Sequence, residues 1–297
     1  DNEKDLYRTR FRIGIENIKE FIDGRRPFER SKKKEKSKEF GNIFFQYFEL
    51  PRKDSSAEMW FEDKGLGAKG KIDLLESRNT IIDYKSGAKV SGKSLVQSSN
   101  VELFEDKPNF QPILYLLYLR KENQGDVLSF IFYHFLNNLD DKIKGNGSIS
   151  DNLTEVKYFP RTFHDFMTSK KCFEKLVTAK VRNKTLGPLG YKNYCEILNE
   201  TGFTDHKFFD KKSLRVQYLD KLVSTSHPFL DVGRGKDVTK KQLKKSWKSV
   251  LGKLATIRNS NFFKEDLDAF QEFLADQISL INQYSRNSFP VNEANLE

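Results

Sequence analysis

Cysteine, methionine and tryptophan occur only twice each in this 297-residue chain, histidine four times and proline eight. Two cysteines, Cys172 and Cys195, cannot build a disulfide framework, and they lack the close C-x-x-C pairing of zinc and iron–sulfur sites. A reducing, intracellular (cytoplasmic) compartment is the expected setting. Long apolar runs are missing as well. The longest candidate, "PILYLLYL", falls far short of a membrane span and suits a short buried helix, so no membrane partner is expected. No secretory leader pattern, internal repeat or long low-complexity tract is visible. The chain starts at Asp1 without a methionine and ends "NEANLE". An excised piece of a longer protein is the expected reading of those ends.

What is present describes a folded, basic protein. Hydrophobic residues make up 37% and aromatics 13%, with 26 phenylalanines, enough for a real core beneath a charged fraction of 32%. Fifty-two Lys and Arg against 42 Asp and Glu leave a formal charge of +10, a field that attracts polyanions, nucleic acid first among them. Net charge alone fits a lysine-solvated surface equally well.

Along the chain, "DLYRTRFRIGIENIKEFIDG" has apolar residues at helical spacing and stops at Gly24. The basic run "RSKKKEKSK" leads into "EFGNIFFQYFEL", an apolar second helix. Two strands are expected across residues 70 to 84 with "ESRNT" as their turn, then a polar loop over 87 to 109. A helix starts near Gln111, where Pro112 is tolerated because the first turn needs no amide donor. "DVLSFIFYHFL" is a buried strand by its aromatic and β-branched content. From residue 161 onward the pattern is mostly helical, with breaks at "LGPLG", "TGFTD", "STSHP" and "DVGRGKD".

The chemistry concentrates in "GKIDLLESRNTIIDYKSGAKV", residues 70 to 90. Strand positions two apart share a face, so Asp83 and Lys85 project together while Tyr84 points away. A neighbouring hairpin strand carrying Asp73 brings a second carboxylate to the same point. Two carboxylates and a backbone carbonyl suit a hard divalent cation such as Mg²⁺ or Mn²⁺. An adjacent lysine can orient a water for attack on a phosphodiester. A lone D-x-K is more often an exposed ion pair on an ordinary hairpin, since such tripeptides are common.

"GKID", "IIDYKSG" and "QPILYLLY", in that order, resemble motifs II and III and the trailing Q-x-x-x-Y of the PD-(D/E)XK nuclease superfamily, its RecB-like exonuclease branch above all. That branch includes the nuclease domains of helicase–nuclease complexes and the CRISPR adaptation nucleases. The resemblance implies an α/β, restriction-endonuclease-like core with a central mixed sheet flanked by helices, plus a helical insertion. Asp73 and Asp83 would be metal ligands, with the Tyr84 carbonyl as a third, and Lys85 the catalytic lysine. Gln111 and Tyr115, one helical turn apart, would position the substrate strand or brace the site. The implied activity is a metal-dependent exodeoxyribonuclease on single-stranded DNA or DNA ends in repair or recombination, with a helicase domain or subunit as partner. RNA processing on the same fold is an alternative.

"EDLDAFQEFLADQISLINQYSRNSFP" is similar to the family's closing helix, so residues 1 to 155 and 255 to 297 are expected to form the nuclease core and 156 to 254 an inserted lobe. Within that lobe "TKKQLKKSWKSVLGK" is a basic amphipathic helix, with Leu243, Trp247 and Val250 on one face, suited to a phosphate backbone or to an acidic partner.

Two departures from the family stand out. Its iron–sulfur members use four cysteines, so no cluster is expected here. RecB-like enzymes place a His four residues after a Gly in the helix before the sheet, where "FGNIFFQYFE" has Phe45. His134, His164, His206 and His227 all follow the motifs. Glu49, one turn beyond Phe45, could ligate the metal instead, and Glu58 less readily. Without either, the alternative is a weak or inactive module for DNA binding or complex assembly.

Overall fold

The computed structural model describes residues 56–101, 108–134, 153–178, 188–201, 211–226 and 239–284. The helices expected before residue 56, the run "RSKKKEKSK", Phe45, Glu49, His206, His227, "DVGRGKD" and the closing Phe-Pro lie outside these residues.

Six strands of the described residues form one mixed sheet in sequential order, β1 (Ser56–Asp63), β2 (Ala68–Ser77), β3 (Thr80–Lys85), β4 (Leu128–His134), β5 (Leu153–Phe159) and β6 (Phe262–Phe263). The first three pair antiparallel, β3 runs parallel to β4, and β5 runs parallel to β6. Among the described residues eight helices accompany them: α1 (Gly92–Ser99), α2 (Gln111–Glu122), α3 (Phe163–Met167), α4 (Lys170–Thr178), α5 (Pro188–Thr201), α6 (Lys212–Ser226), α7 (Lys240–Asn259) and α8 (Lys264–Gln283). This is the α/β, restriction-endonuclease-like class, a mixed sheet with flanking helices.

Several local expectations need correction. The turn between β2 and β3 is tighter than "ESRNT", because pairing continues to Ser77↔Thr80 and leaves only Arg78 and Asn79 outside the strands. Part of the loop expected over 87 to 109 is helix α1. Ser91 caps it, its hydroxyl accepting from Ser94 N at 3.0 Å. Pro188 of "LGPLG" opens α5 instead of breaking a helix, as proline can in a first turn. The serine-rich "STS" of "STSHP" belongs to the last turn of α6.

The described residues fall into two compact units. One contains 56–90, 98–101, 108–134, 153–155 and 266–284, and the other 91–97, 156–178, 188–201, 211–226 and 239–265. In the first, β3 is a central strand, so Thr80 to Asp83 are buried on both faces. Helix α2 buries Ile113, Leu116 and Leu117 in the same unit. Arg120 fastens α2 to α8, bonding Asp268 at 2.6 Å and Gln271 at 2.7 Å.

The second unit is built around α7. Thr239 and Gln242 form a reciprocal cap at its start. Leu243, Trp247, Val250, Leu251 and Leu254 are buried along it, while Lys240, Lys241, Lys244, Lys245 and Lys248 are exposed. The Trp247 ring stacks on Tyr194 of α5 at 6.0 Å, and Tyr194 meets Phe173 of α4 at 5.2 Å. Burial pushes the thiol of Cys172, beside them in this core, up to about 11, so it stays protonated.

Candidate active site

The carboxyl end of β3 gathers the chemistry. Asp83 is the last residue of the strand's fully buried run, and only 3% of it is exposed. Lys85, two residues on, shares its face, and its Nζ lies 2.6 Å from Asp83 Oδ2. The Lys85 ammonium also sits 4.9 Å from the Phe132 ring centroid, which supports the charge from the neighbouring strand.

Gln111 completes this group from helix α2. Its Nε2 donates to Asp83 Oδ1 at 2.6 Å, and its Oε1 accepts from Lys85 Nζ at 3.0 Å. The amide orientation is assigned from these two partners. The helix start is fixed in turn by Asn109, whose Oδ1 accepts from the Gln111 amide at 3.2 Å. One side chain thus reads both members of the ion pair.

Asp73 approaches from β2. Its Oδ2 accepts from the Tyr84 amide at 2.9 Å, which places the second carboxylate against the backbone between Asp83 and Lys85. Burial raises the Asp83 carboxyl above its ordinary range; Lys85 and Gln111 pull it down, and the Asp73 charge adds to the rise. The Tyr84 hydroxyl is pushed up to about 12, mainly by burial, with the charges of Asp73 and Glu76 adding. Tyr84 therefore offers its backbone, not a phenolate.

Tyr115 does not meet the acids directly. Its hydroxyl donates to the Lys71 carbonyl at 2.8 Å, and its ring packs edge-on against Phe61 and Phe130. It braces β2 two residues before Asp73. Gly70 makes this packing possible: a Cβ there would lie 2.8 Å from the Phe61 ring and 3.7 Å from that of Tyr115. Glycine is required by close approach.

Glu58 is exposed, pairs with Lys71 and has a positive φ of 56° on edge strand β1. Its carboxylate is occupied by a surface lysine. Glu49 lies outside the described residues. Among the described residues no group of three or more His, Cys, Asp or Glu side chains could hold a metal ion. Among the described residues the carboxylates that converge are Asp73, bonded to the Tyr84 amide, and Asp83, whose carboxyl feels the Asp73 charge. Two hard carboxylates, one of them buried and electrostatically burdened by the other, fit a cation that keeps most of its waters. In the structure Lys85 supplies the positive charge on Asp83.

His134 was passed over in the sequence because it follows the motifs. Parallel pairing nevertheless sets it directly beside Lys85, the register being Lys85↔His134. Its signal was available in "FIFYHFL", where a histidine interrupts an aromatic strand.

A buried acid, a second acid and a lysine at the end of a sheet strand are the residue types that metal-assisted hydrolysis uses. The family model described as the PD-(D/E)XK nuclease superfamily matches residues 16–199. The chain belongs to that superfamily, whose members are generally nucleases that use divalent metals. Comparison with curated proteins and with solved structures found no match. No helix among the described residues is long and apolar enough to cross a membrane.

Proposed function

We propose that the protein is a divalent-metal-dependent deoxyribonuclease of the RecB-like branch, acting as an exonuclease on single-stranded DNA or DNA ends in repair or recombination. A helicase domain or subunit is the partner this reading entails. The observation that carries it is the joint engagement of Asp83 and Lys85 by Gln111, with Asp73 hydrogen-bonded between them.

Asp73, Asp83 and the Tyr84 carbonyl would hold Mg²⁺ or Mn²⁺, with Glu49 as a further ligand. The cation, when bound, supplies positive charge that polarises the scissile phosphate and the attacking water. Lys85 orients that water and stabilises the negative charge that builds on the phosphate oxygens. Gln111 keeps the lysine and the acid in register, and Tyr115 holds the strand that delivers Asp73. The core of residues 1 to 155 and 255 to 297 carries this chemistry. The exposed lysines of α7, in the lobe of 156 to 254, provide a track for the phosphate backbone.

Phe45, where RecB-like enzymes have a histidine, favours a second reading, an inactive module for DNA binding or assembly. End-labelled single- and double-stranded DNA incubated with the protein and Mn²⁺, Mg²⁺ or EDTA separates the two. Metal-dependent cleavage falling on the order of a thousandfold in both Asp83→Ala and Lys85→Ala is expected. DNA binding without cleavage, and no stabilisation by Mn²⁺, would establish the inactive module.

A further inference from the structure

The backbone immediately after Lys85 leaves the sheet without regular structure, and residues 86 to 91 are exposed. Sterics do not hold it: a Cβ at Gly87 would meet nothing within 4 Å. Two buried side chains from the neighbouring strands reach its carbonyls instead. His134 Nδ1 lies 3.3 Å from the Gly87 carbonyl, and Thr154 Oγ1 donates to the Val90 carbonyl at 2.7 Å. His134 is 2% exposed and Thr154 5%.

We propose that His134 is a positioning residue of the active site, its Nδ1–H holding the Gly87 carbonyl so that the chain leaving β3 keeps Lys85 between Asp83 and Gln111. This rests on the nuclease reading for its catalytic consequence but not for its geometry. Phe132 and His134 are two apart on β4, with their rings 5.8 Å between centroids. The Phe132 ring supports the Lys85 ammonium, while His134 holds the backbone that follows it. One strand thereby sets both the head and the tether of the lysine.

The protonation state agrees with this role. Burial, joined by the charges of Lys89 and Lys85, pushes the imidazole below its ordinary range, against the pull of the Gly87 hydrogen bond. A neutral ring that donates from Nδ1 has its remaining lone pair on Nε2. Among the described residues Nε2 is buried with no hydrogen-bond partner, so none of them competes for the proton on Nδ1. The Gly87 carbonyl can only accept, so its contact with Nδ1 calls for the tautomer protonated there.

Two substitutions divide the ring's functions, since an asparagine amide can reproduce the Nδ1 donor and a glutamine amide approximates Nε2. The full chain is prepared unmutated and as His134→Asn, His134→Gln and His134→Phe, with thermal melts to confirm folding. Long-range ¹H–¹⁵N spectra at neutral pH report the tautomer, and ¹⁵N relaxation order parameters report the order of residues 87 to 90. Protonation on Nδ1, with backbone order and turnover kept in His134→Asn, is expected. His134→Gln should lower the order parameters and lower kcat on the order of 10-fold to 100-fold, with KM for DNA little changed. Protonation on Nε2, or equal behaviour of the Asn and Phe variants with folding intact, would overturn the role. If the unmutated protein cuts no DNA, the nuclease reading fails by itself. The tether is then decided by tautomer and backbone order alone.

Discussion

The two units bury different kinds of residue. In the sheet-bearing unit, Asp83, Asn123 and His134 are buried alongside Ile and Phe side chains. In the helical unit the core cluster is apolar, with Phe163, Phe173, Leu198, Trp247, Leu254 and Phe263 among its members, and the buried polar side chains there are fewer, Arg258 and Asn193. A buried polar group costs stability unless it is bonded, whereas buried aromatic area stabilises directly. The first unit holds its site by hydrogen bonds whose geometry matters more than their sum; the second is held by packing. Damage to each should therefore look different.

The largest effect on stability is expected from Trp247→Ala. The indole is fully buried and stacked on Tyr194, so truncation leaves a cavity at the centre of the aromatic cluster. A loss of about 3–5 kcal/mol is expected, read by urea or thermal unfolding. A loss below about 1 kcal/mol would mean that packing is not what holds this unit.

Asp83→Asn tests the opposite character of the first unit. Its folded carboxyl lies above the ordinary range, so the native state binds a proton more readily than the unfolded chain. Metal-free stability should fall as pH rises from the ordinary carboxylate range through the raised value, and stay reduced above it. The asparagine variant lacks that slope. In EDTA at neutral pH it should melt no lower than the unmutated protein, and up to about 2 °C higher. Mn²⁺ should reverse the order by stabilising only the protein that keeps its carboxylate. Parallel melting curves in both conditions would remove Asp83 from the metal site.

How much of this was legible in the sequence follows from the reach of each signal. Period-two alternation was enough to put Asp83 and Lys85 on one face, and the proline at a first turn was enough to start α2 near Gln111. Helix α1 escaped because "GKSLVQSS" buries chiefly Leu95 and Val96, too few apolar residues to outweigh its serines. Strand β1 escaped because "SAEMWFED" exposes Trp60 at 72% while burying Phe61, an edge pattern that hydrophobicity alone misreads. The neighbour relation of His134 to Lys85 arises from parallel pairing between residues 49 positions apart, which no local pattern encodes. Chain order shows only that this histidine follows the motifs and does not lie in the helix before the sheet. The sheet places it alongside them.

The smallest effect comes from an ion pair in the helical unit, and it sharpens the comparison most. Lys221 and Glu200 meet at 2.7 Å, Lys85 and Asp83 at 2.6 Å, so the two contacts are almost identical in length. Their settings are not: Glu200's side chain is 59% exposed and Asp83's only 4%. Water and salt screen the first pair, and holding two long side chains together costs rotamer freedom. A double-mutant cycle of Lys221→Ala and Glu200→Ala should give a coupling of about 0.2–1 kcal/mol that shrinks as salt rises. The same cycle on Lys85→Ala and Asp83→Ala should show a larger coupling with weaker salt dependence, because removing one partner leaves the other in a poorly solvated place. Equal couplings would mean that solvent reaches the end of β3 as freely as the helical surface. The lysine there would then be a surface charge near an acid, without the enclosed field a hydrolytic site requires.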